Sequence, residues 1–406
     1  MTDAFPESRR ALVMTELAGP VREALRRSEP DAIAVRRELH RHPELSHQEQ
    51  RTADFVASRC EEMGFEVRTG VAGTGVIADL EGRGSGPTLM LRADMDALPV
   101  RESADGRAVR SEIDGVMHAC GHDGHVAMAL AAGATLDAVR EQWRGSLRLC
   151  FQPAEEVAEG AAPMIEAGAA DGVDRVLGIH LWAPLQVGRV AVMPGVVFGS
   201  ADLFTIAVAG RGGHGGMPHT AVDPVVAAAH LITALQSIVS RETSPFSPAV
   251  VTIGRVSGGT ANNVIADSVE IGGTVRAVDR DERERLLHRV AEVARDVARA
   301  SRCEAHFHRT SGTPPVVSDA GVASVVRGAA VAAVGEDNVE ATQPLTVGDD
   351  VALFLERVPG CYYLVGAGHP ERGVVAPHHS AGFDIDEGSL AVGTETLVRS
   401  ALQILG

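Results

Sequence analysis

Residues 88–96 of the chain, TLMLRADMD, place a short apolar run directly before two aspartates. Three further segments have the same form, a short run of aliphatic and β-branched residues: TGVIADL at 74–80, SLRLCFQPAEE at 146–156 and RVLGIHLW at 175–182. Helical patterns lie between them, HVAMALAAGATLDAV at 125–139 and GAAPMIEAGA at 160–169. Strands that alternate with helices predict an α/β domain in which helices flank a mixed, mostly parallel sheet.

Ahead of these strands, the chain from Asp31 to Met63 has a helical pattern. Pro43 interrupts the pattern, which predicts one helix over AIAVRRELHRHPE and a second over SHQEQRTADFVASRCEEMG. The second helix should end at Gly64, because glycine commonly terminates helices.

From about residue 199 to 310 the order of elements changes to β-α-β-β-α-β, which predicts a ferredoxin-like α+β unit. The segments that carry it are LFTIAVAG, DPVVAAAHLITALQSIVSR, AVVTIGRVSG, SVEIGGTVRAV, RERLLHRVAEVARDVARA and EAHFHRT. Mixed α/β character then resumes. We therefore predict a catalytic domain in two segments, residues 1–198 and 311–406, with a smaller domain at 199–310 inserted between them.

The composition limits the classes of function. A chain of 406 residues is long enough for two domains, and its net charge of −17 argues against nucleic acids and anionic membranes as partners. All 37 basic residues are arginine, which excludes a Schiff-base lysine and a phosphate-binding P-loop lysine. Five scattered cysteines indicate reduced thiols, and the N-terminus lacks the apolar core of a signal peptide, so we predict a cytoplasmic protein.

Candidate metal ligands follow several of the predicted strands. The stretch MHACGHDGH at 117–125 contains Cys120 and His122, and Asp123 could cap a helix that begins at Gly124. The other candidates are Glu155 and Glu156 after one strand, His180 at the end of another, and His378 and His379 in a loop before the last helix. Ligand sites in open α/β sheets lie beyond the carboxyl ends of the strands, so we expect these residues to converge.

Three interpretations of this set remain open. A thiolate, imidazoles and carboxylates together suit Zn²⁺, Mn²⁺, Co²⁺ or Ni²⁺, and a glutamate beyond the ligand set could take a proton from metal-bound water. A structural zinc site would use four Cys or His ligands in close pairs, which this chain lacks. A cysteine nucleophile is disfavoured because Cys120 and His122 lie only two positions apart. Each residue alone could be structural, and His118 and His125 are predicted to be so.

Nine motifs together resemble the M20 metallopeptidase family, most closely its amidohydrolase branch of hippurate hydrolases, indole-acetyl-amino-acid hydrolases and N-acyl-amino-acid deacylases. In order, they are RELHRHPELSHQE, LRADMDALPV, MHACGHDGHVAM, FQPAEE, GIHLW, GRGGHGGMPHTAVDPV, GGTANNVIADS, GTVRAVD and PHHSAGFDIDEG. The resemblance covers the chain from about Arg36 onward. It implies a metal-dependent hydrolase that cleaves a small N-acyl amino acid into a carboxylic acid and a free amino acid.

The resemblance also implies a role for each candidate residue in a centre of two divalent ions. Glu155 would be the general base, Asp96 would hold a ligand in position, and Asp94 is either such a residue or a buried structural carboxylate. His379 is preferred to His378 because it immediately precedes the Ser of the family's HS motif. The implied metal ligands are Cys120, His122, Glu156, His180 and His379.

For the inserted domain, the resemblance implies a lid that also forms a homodimer, or part of a larger oligomer. His214 would reach the site of the partner subunit and stabilise the oxyanion. Asn263 and Arg276 would hold the carboxylate of the substrate, which suits the bidentate guanidinium of arginine.

Three positions depart from the family pattern. Ala266 and Ala381 replace family prolines, and the stretch Gly348–Val351, GDDV, replaces SEDF. None of these positions is an implied metal ligand, but they bear on the substrate pocket, so the sequence does not identify the substrate. A metallo-carboxypeptidase or dipeptidase remains the alternative enzyme, and a catalytically silent binding protein is the alternative from another class. The intact Glu155 argues against the silent protein.

Overall fold

The structure, a computed structural model, describes residues 17–103, 107 and 109–406. Residues 1–16, on which much of the signal-peptide prediction rests, lie outside the described residues. Within the described chain, no helix is both long enough and apolar enough to cross a membrane. The chain divides into two compact units. The larger contains residues up to Val197 with 317–343 and 350–406, and the smaller contains 198–316 and 344–349.

The helices and strands of the described chain are numbered in chain order. The helices are α1 (Gly19–Arg41), α2 (Gln50–Glu62), α3 (His122–Ala138), α4 (Ala161–Glu166), α5 (Pro224–Ser237), α6 (Arg280–Ala300), α7 (Ala320–Val334), α8 (Val351–Arg357) and α9 (Gly388–Leu405). The strands are β1 (Glu66–Val71), β2 (Gly75–Glu81), β3 (Thr88–Asp94), β4 (Ser146–Gln152), β5 (Arg175–Gln186), β6 (Val190–Ala191), β7 (Gly195–Phe198), β8 (Ala201–Ala209), β9 (Gly213–His214), β10 (Ala249–Gly258), β11 (Val264–Ile265), β12 (Ser268–Ala277), β13 (Glu304–Thr313), β14 (Val316–Ser318), β15 (Val339–Glu340) and β16 (Gly360–Gly368).

The larger unit is built on an eight-stranded mixed sheet with the order β1-β2-β4-β3-β5-β16-β6-β15. Its four central strands, β4, β3, β5 and β16, are parallel to one another. Strand β16 is buried along its whole length, as expected for a central strand covered on both faces. Helices α1, α3 and α9 pack against one another and contribute to a continuous apolar core with the sheet. The predicted α/β class is confirmed.

The smaller unit contains an antiparallel four-stranded sheet with the order β10-β12-β8-β13. Helices α5 and α6 pack together, and their buried faces share a separate apolar core with the sheet. The chain order β8-α5-β10-β12-α6-β13 is the predicted ferredoxin-like sequence of elements. Each helix has an aspartate cap, Asp223 for α5 and Asp279 for α6, which accepts backbone N–H groups of the first turn.

Two helix starts differ from the prediction. Helix α1 begins at Gly19 rather than Asp31 and contains Pro30. A proline inside a helix removes a backbone hydrogen bond, but residues on both sides of Pro30, including Val21 and Val35, are buried and keep the helix continuous. Helix α2 begins only at Gln50, because the side chains of the preceding turn make hydrogen bonds elsewhere in the unit.

Candidate metal centre

The carboxyl ends of parallel strands supply part of the candidate site. Asp94 ends β3, and Glu155 and Glu156 follow β4. His180 lies in the middle of β5, not at its end as predicted, because the strand continues in parallel register with β16 beyond His180. Cys120 and His122 lie at the start of α3, and His379 comes from the loop before α9. Residues far apart in sequence therefore meet within the larger unit.

Cys120 lies at the middle of this group. Its Sγ is 3.5 Å from Nε2 of His180 and 3.3 Å from Nε2 of His379. The same His379 nitrogen is 3.3 Å from Oε2 of Glu156. Potential ligand atoms of Cys120, His122 and His180 all lie within 4.8 Å of one another, as do those of Cys120, Glu156 and His379. The two triads share the sulfur, which is the arrangement that a thiolate bridging two ions would need.

The histidines of the group direct one nitrogen each toward its centre. Nδ1 of His122 donates to the carbonyl of Asp96 at 2.9 Å, and Nδ1 of His180 donates to the carbonyl of Leu181 at 2.7 Å. Because Nδ1 is the donor in both rings, Nε2 would be the lone-pair nitrogen of each ring in its neutral, metal-binding form. The loop residue His378 differs, because its Nε2 lies 2.9 Å from the same Leu181 carbonyl. His379, rather than His378, faces Cys120.

Two buried polar atoms at the centre make no hydrogen bond among the described residues, Nε2 of His122 and Oε1 of Glu156. A buried polar atom without a partner is costly, so such atoms call for a bound group. The donor types are one cysteine sulfur, three imidazoles and a carboxylate, which suits borderline divalent transition metals. The residues present therefore fit a metal centre.

The charges around the centre also favour a bound cation. Burial raises the pKa of Glu156 to about 7, against the opposing effect of His122. Burial lowers the pKa of His122, but Asp94, Asp96 and Glu156 outweigh it and raise the pKa to about 10. In the absence of an ion, a proton on His122 thus balances the surrounding carboxylates. A divalent cation that binds to His122 would displace this proton into the solvent.

Asp96 holds the two glutamates through their backbone. Its Oδ1 accepts the N–H of Glu155 at 3.1 Å and its Oδ2 accepts the N–H of Glu156 at 3.0 Å. Ser46 donates its hydroxyl to the same Oδ2 at 2.7 Å. Glu155 and Glu156 both place a carboxylate oxygen close to His122, at 3.8 and 3.9 Å from its Nε2. Glu156 alone of the pair also joins Cys120 and His379.

His125, which the sequence predicts to be structural, pairs with Asp94. Nε2 of His125 accepts the N–H of Leu181 at 2.9 Å, so Nδ1 carries the proton and donates to Asp94 at 2.6 Å. Arg92 donates to the other oxygen of Asp94 at 2.6 Å. All three side chains are buried. Asp94 is therefore a hydrogen-bonded buried carboxylate next to the centre, and no local sequence pattern links it to His125.

Asp123 does not cap the helix as predicted. Helix α3 begins at His122 after Gly121, whose φ of 92° lies in the left-handed region that glycine tolerates. Asp123 is instead buried in the first turn, where it accepts from Arg36 at 3.0 Å and pairs with His40 at 2.7 Å. Burial would raise the pKa of Asp123, but Arg36 and His40 outweigh it and hold that pKa far below its usual range. The helix start is thereby fixed to α1.

The candidate substrate residues lie in the smaller unit. Strand β9, with His214, pairs with β11, and the N–H of Gly215 donates to the carbonyl of Asn263 at 2.8 Å, so His214 and Asn263 are neighbours. Nδ1 of the exposed His214 accepts the N–H of Gly216 at 3.0 Å, which leaves the ring proton on Nε2. Arg276 on β12 is half-buried, and this burial lowers its pKa.

The departures from the family pattern have different structural contexts. Within GDDV, Asp350 is fully buried and accepts from Gln152 at 2.6 Å and from the N–H of Ala161 at 2.9 Å. The carbonyl of Ala381 accepts the N–H of Ser103 at 2.9 Å. Nothing in the structure explains the alanine at position 266.

Comparison with known proteins assigns the chain to a protein family. Residues 90–403 match the model of "Peptidase family M20/M25/M40". The "N-acetyl-L-cysteine deacetylase" of Bacillus subtilis (strain 168) is 38% identical over 97% of this chain and 92% of its own length. The "Thermostable carboxypeptidase 1" of Saccharolobus solfataricus is 36% identical over 93% and 96%. The "IAA-amino acid hydrolase ILR1-like 5" of Arabidopsis thaliana is 36% identical over 92% and 86%.

Solved structures agree with this assignment. A structure from methicillin-resistant Staphylococcus aureus matches with a TM-score of 0.89 and 35% identity, covering 96% of this chain and all of the other. The Bacillus subtilis YXEP protein, described as "a Dinuclear Metal Binding Peptidase from M20 Family", matches with a TM-score of 0.80 and 33% identity over 94% of this chain and 99% of its own. The chain therefore belongs to peptidase family M20/M25/M40, in the amidohydrolase branch, and is a metal-dependent hydrolase of amide bonds, as the sequence predicted.

Proposed function

We propose that this enzyme hydrolyses the amide of a small N-acyl amino acid to a carboxylic acid and a free amino acid. The observation that carries the proposal is the pair of triads that share Cys120, with Glu155 beside them. The similarity to an N-acetyl-L-cysteine deacetylase and to an IAA-amino acid hydrolase, each over more than nine-tenths of this chain, supports the substrate class.

Two divalent ions, of Zn, Mn, Co or Ni, are the proposed cofactors. When bound, they would lower the pKa of a water molecule and polarise the scissile carbonyl. The proposed ligands are the five residues around the shared sulfur: Cys120, His122, Glu156, His180 and His379. The histidines would bind metal through Nε2. In His122 and His180 the other ring nitrogen, Nδ1, is already hydrogen-bonded to a backbone carbonyl.

Glu155 is the proposed general base. It takes a proton from the attacking water and later delivers it to the leaving nitrogen, so that the amine departs neutral. The hydrogen bond from its N–H to Asp96 fixes its backbone, while its carboxylate lies close to Nε2 of His122. Asp96 thus supports the base and the adjacent ligand together, which is the role proposed for it.

The smaller unit would supply the remaining contacts. Arg276 and Asn263 would bind the carboxylate of the amino-acid product portion, and His214 would donate Nε2–H to the carbonyl oxygen as that oxygen gains negative charge. The tautomer of His214 suits this donation. We propose that His214 acts on the site of a partner subunit in a homodimer formed through this unit.

The alternative is a carboxypeptidase or dipeptidase that uses the same centre, and the similarity to a thermostable carboxypeptidase favours it. N-acetyl and N-benzoyl amino acids and free dipeptides, each tested with the metal-loaded enzyme, separate the two activities. Preference for dipeptides by kcat/KM would overturn the deacylase proposal. A chain that binds metal and cleaves none of them would be the catalytically silent binding protein.

The general base has its own test. Glu155→Gln keeps the size of the side chain and should retain two ions per chain while kcat falls by about 100-fold or more, since general-base catalysis typically contributes 10²–10⁴-fold. Retained activity would remove Glu155 from the mechanism.

The five free cysteines, all buried, agree with the proposed cytoplasmic, reducing location.

A further inference from the structure

The turn between α1 and α2 contains a buried carboxylate that the proposed mechanism does not use. The turn belongs to the motif RELHRHPELSHQE, and its Glu49 has none of its surface exposed. A fully buried glutamate needs several donors to be stable. The donors to Glu49 therefore show which parts of the chain this turn holds in position.

Both oxygens of Glu49 are occupied. Oε1 accepts the N–H of Ala154 at 2.8 Å and the N–H of His47 at 3.0 Å. Oε2 accepts the hydroxyl of Thr74 at 2.6 Å. The contact with His47 closes the turn on itself, and the contact with Thr74 reaches the residue immediately before β2. The contact with Ala154 is the one that reaches the candidate site.

Ala154 is an unusual position. Its φ is 52°, in the left-handed region that side chains other than glycine rarely adopt. It directly precedes Glu155, so its backbone conformation sets the direction in which the following residue leaves the strand. The N–H groups of 154, 155 and 156 each donate to a buried carboxylate, the first to Glu49 and the next two to Asp96.

We propose that Glu49 is a positioning residue that directs the general base Glu155 by holding the N–H of Ala154 in this conformation. The inference rests on the proposed role of Glu155. Ser46 belongs to the same turn and donates to Asp96, so one turn supports both carboxylates that hold the loop. The turn between α1 and α2 thus would act on the reaction through the loop that carries Glu155.

The test compares three substitutions in the full-length, metal-loaded chain, with the N-acetyl amino acid that the wild type cleaves best. Glu49→Leu removes the acceptor and should lower kcat by about 10–100-fold, as loss of supporting contacts does in metal sites. KM should change less than threefold and two ions should remain bound. Glu49→Gln keeps an oxygen toward Ala154 and should retain at least a fifth of kcat. Thr74→Val removes only the Oε2 contact and should stay within threefold of wild type.

A double-mutant cycle distinguishes positioning from a purely structural role. If Glu49 acts through Glu155, Glu49→Leu should cost little further activity in the Glu155→Gln background. An equal fold-loss in both backgrounds would overturn the proposal, as would wild-type kcat in Glu49→Leu or loss of bound metal. Should Glu49→Leu not fold, Glu49→Asp shortens the same carboxylate and must reproduce the kcat loss. If Glu155→Gln is fully active, the proposed base itself is wrong; if it is inactive while Glu49→Leu is active, only the positioning role fails.

Discussion

Nε2 of His379 lies 3.3 Å from Sγ of Cys120, although 259 positions separate the two residues in the chain. The same sulfur lies 3.5 Å from Nε2 of His180. One small side chain thus connects α3, β5 and the loop before α9. The consequences of this arrangement can be tested one group at a time.

Cys120→Ser should remove the shared ligand and leave each triad incomplete. We expect fewer than two ions per chain and a loss of kcat of at least about 100-fold, beyond the 10–100-fold typical of residues that only support ligands. Metal analysis after gel filtration and steady-state kinetics measure both effects. Cys60→Ala is the matched control, since Cys60 is buried in α2 outside the triads and should retain both ions. Full metal content in Cys120→Ser would contradict the shared-ligand role.

Removing the metal should lower the stability of the larger unit. Without an ion, Nε2 of His122 and Oε1 of Glu156 are buried without hydrogen-bond partners. Binding to the folded state at 100 times Kd would add about 2.7 kcal/mol, so Tm measured by calorimetry should rise with metal and fall with chelator. Glu156→Gln should respond less to added metal. Equal Tm values for the chelated and metal-loaded wild type would argue against a site in the folded chain.

Arg276→Ala should weaken binding of substrates that carry a free carboxylate. A hydrogen bond to a charged group contributes about 1.5–3 kcal/mol, so we expect kcat/KM to fall by about 10–150-fold. Arg276→Lys should recover only part, because lysine lacks the bidentate fork. The control is the matching substrate with a carboxamide in place of the carboxylate, for which wild type and variant should be similar. Equal losses on both substrates would assign Arg276 a structural role.

His118 should make the metal-free chain sensitive to acid. Burial lowers its pKa from 6.5 to about 4, and neither ring nitrogen has a hydrogen-bond partner among the described residues. The unfolded chain therefore takes up the proton first, so stability is full above pH 6.5 and falls by about 3 kcal/mol as the pH drops to 4.

The check is urea unfolding of wild type and His118→Leu in chelator at pH 8, 6 and 4. The variant should be close to wild type at pH 8 and lose less stability on acidification. Parallel pH dependence of the two proteins would show that His118 does not contribute.

The sequence predicted the order of the helices and strands better than the residues at which the helices begin. Short apolar runs and helical patterns indicate which segments are buried, and they located the strands around the site and the order of the ferredoxin-like unit. The start of α1 was missed because proline normally ends a helical pattern, whereas packing on both sides of Pro30 keeps this helix intact. The start of α2 was missed because Ser46 and Glu49 bond to residues far away in sequence.

The same distinction applies to the candidate site. The motifs identified Cys120, Glu156 and His379 as candidate metal ligands, and the structure places these three residues together. The partners of His125 and Asp123 could not be found in the same way, because Asp94 and Arg36 lie 31 and 87 positions away. Glu49 had no assigned role for the same reason. Hydrogen bonds between distant segments leave no periodic pattern in the sequence.

The chain order of the triads has a consequence for synthesis on the ribosome. Four of the proposed ligands lie between Cys120 and His180, but His379 is added only after the entire stretch 198–316 has been made. A nascent chain therefore cannot complete the centre until the smaller unit has been synthesised. The triad of Cys120, His122 and His180 is complete earlier, but the triad that contains His379 is not, so the full complement of two ions should be reached only after both units have been synthesised.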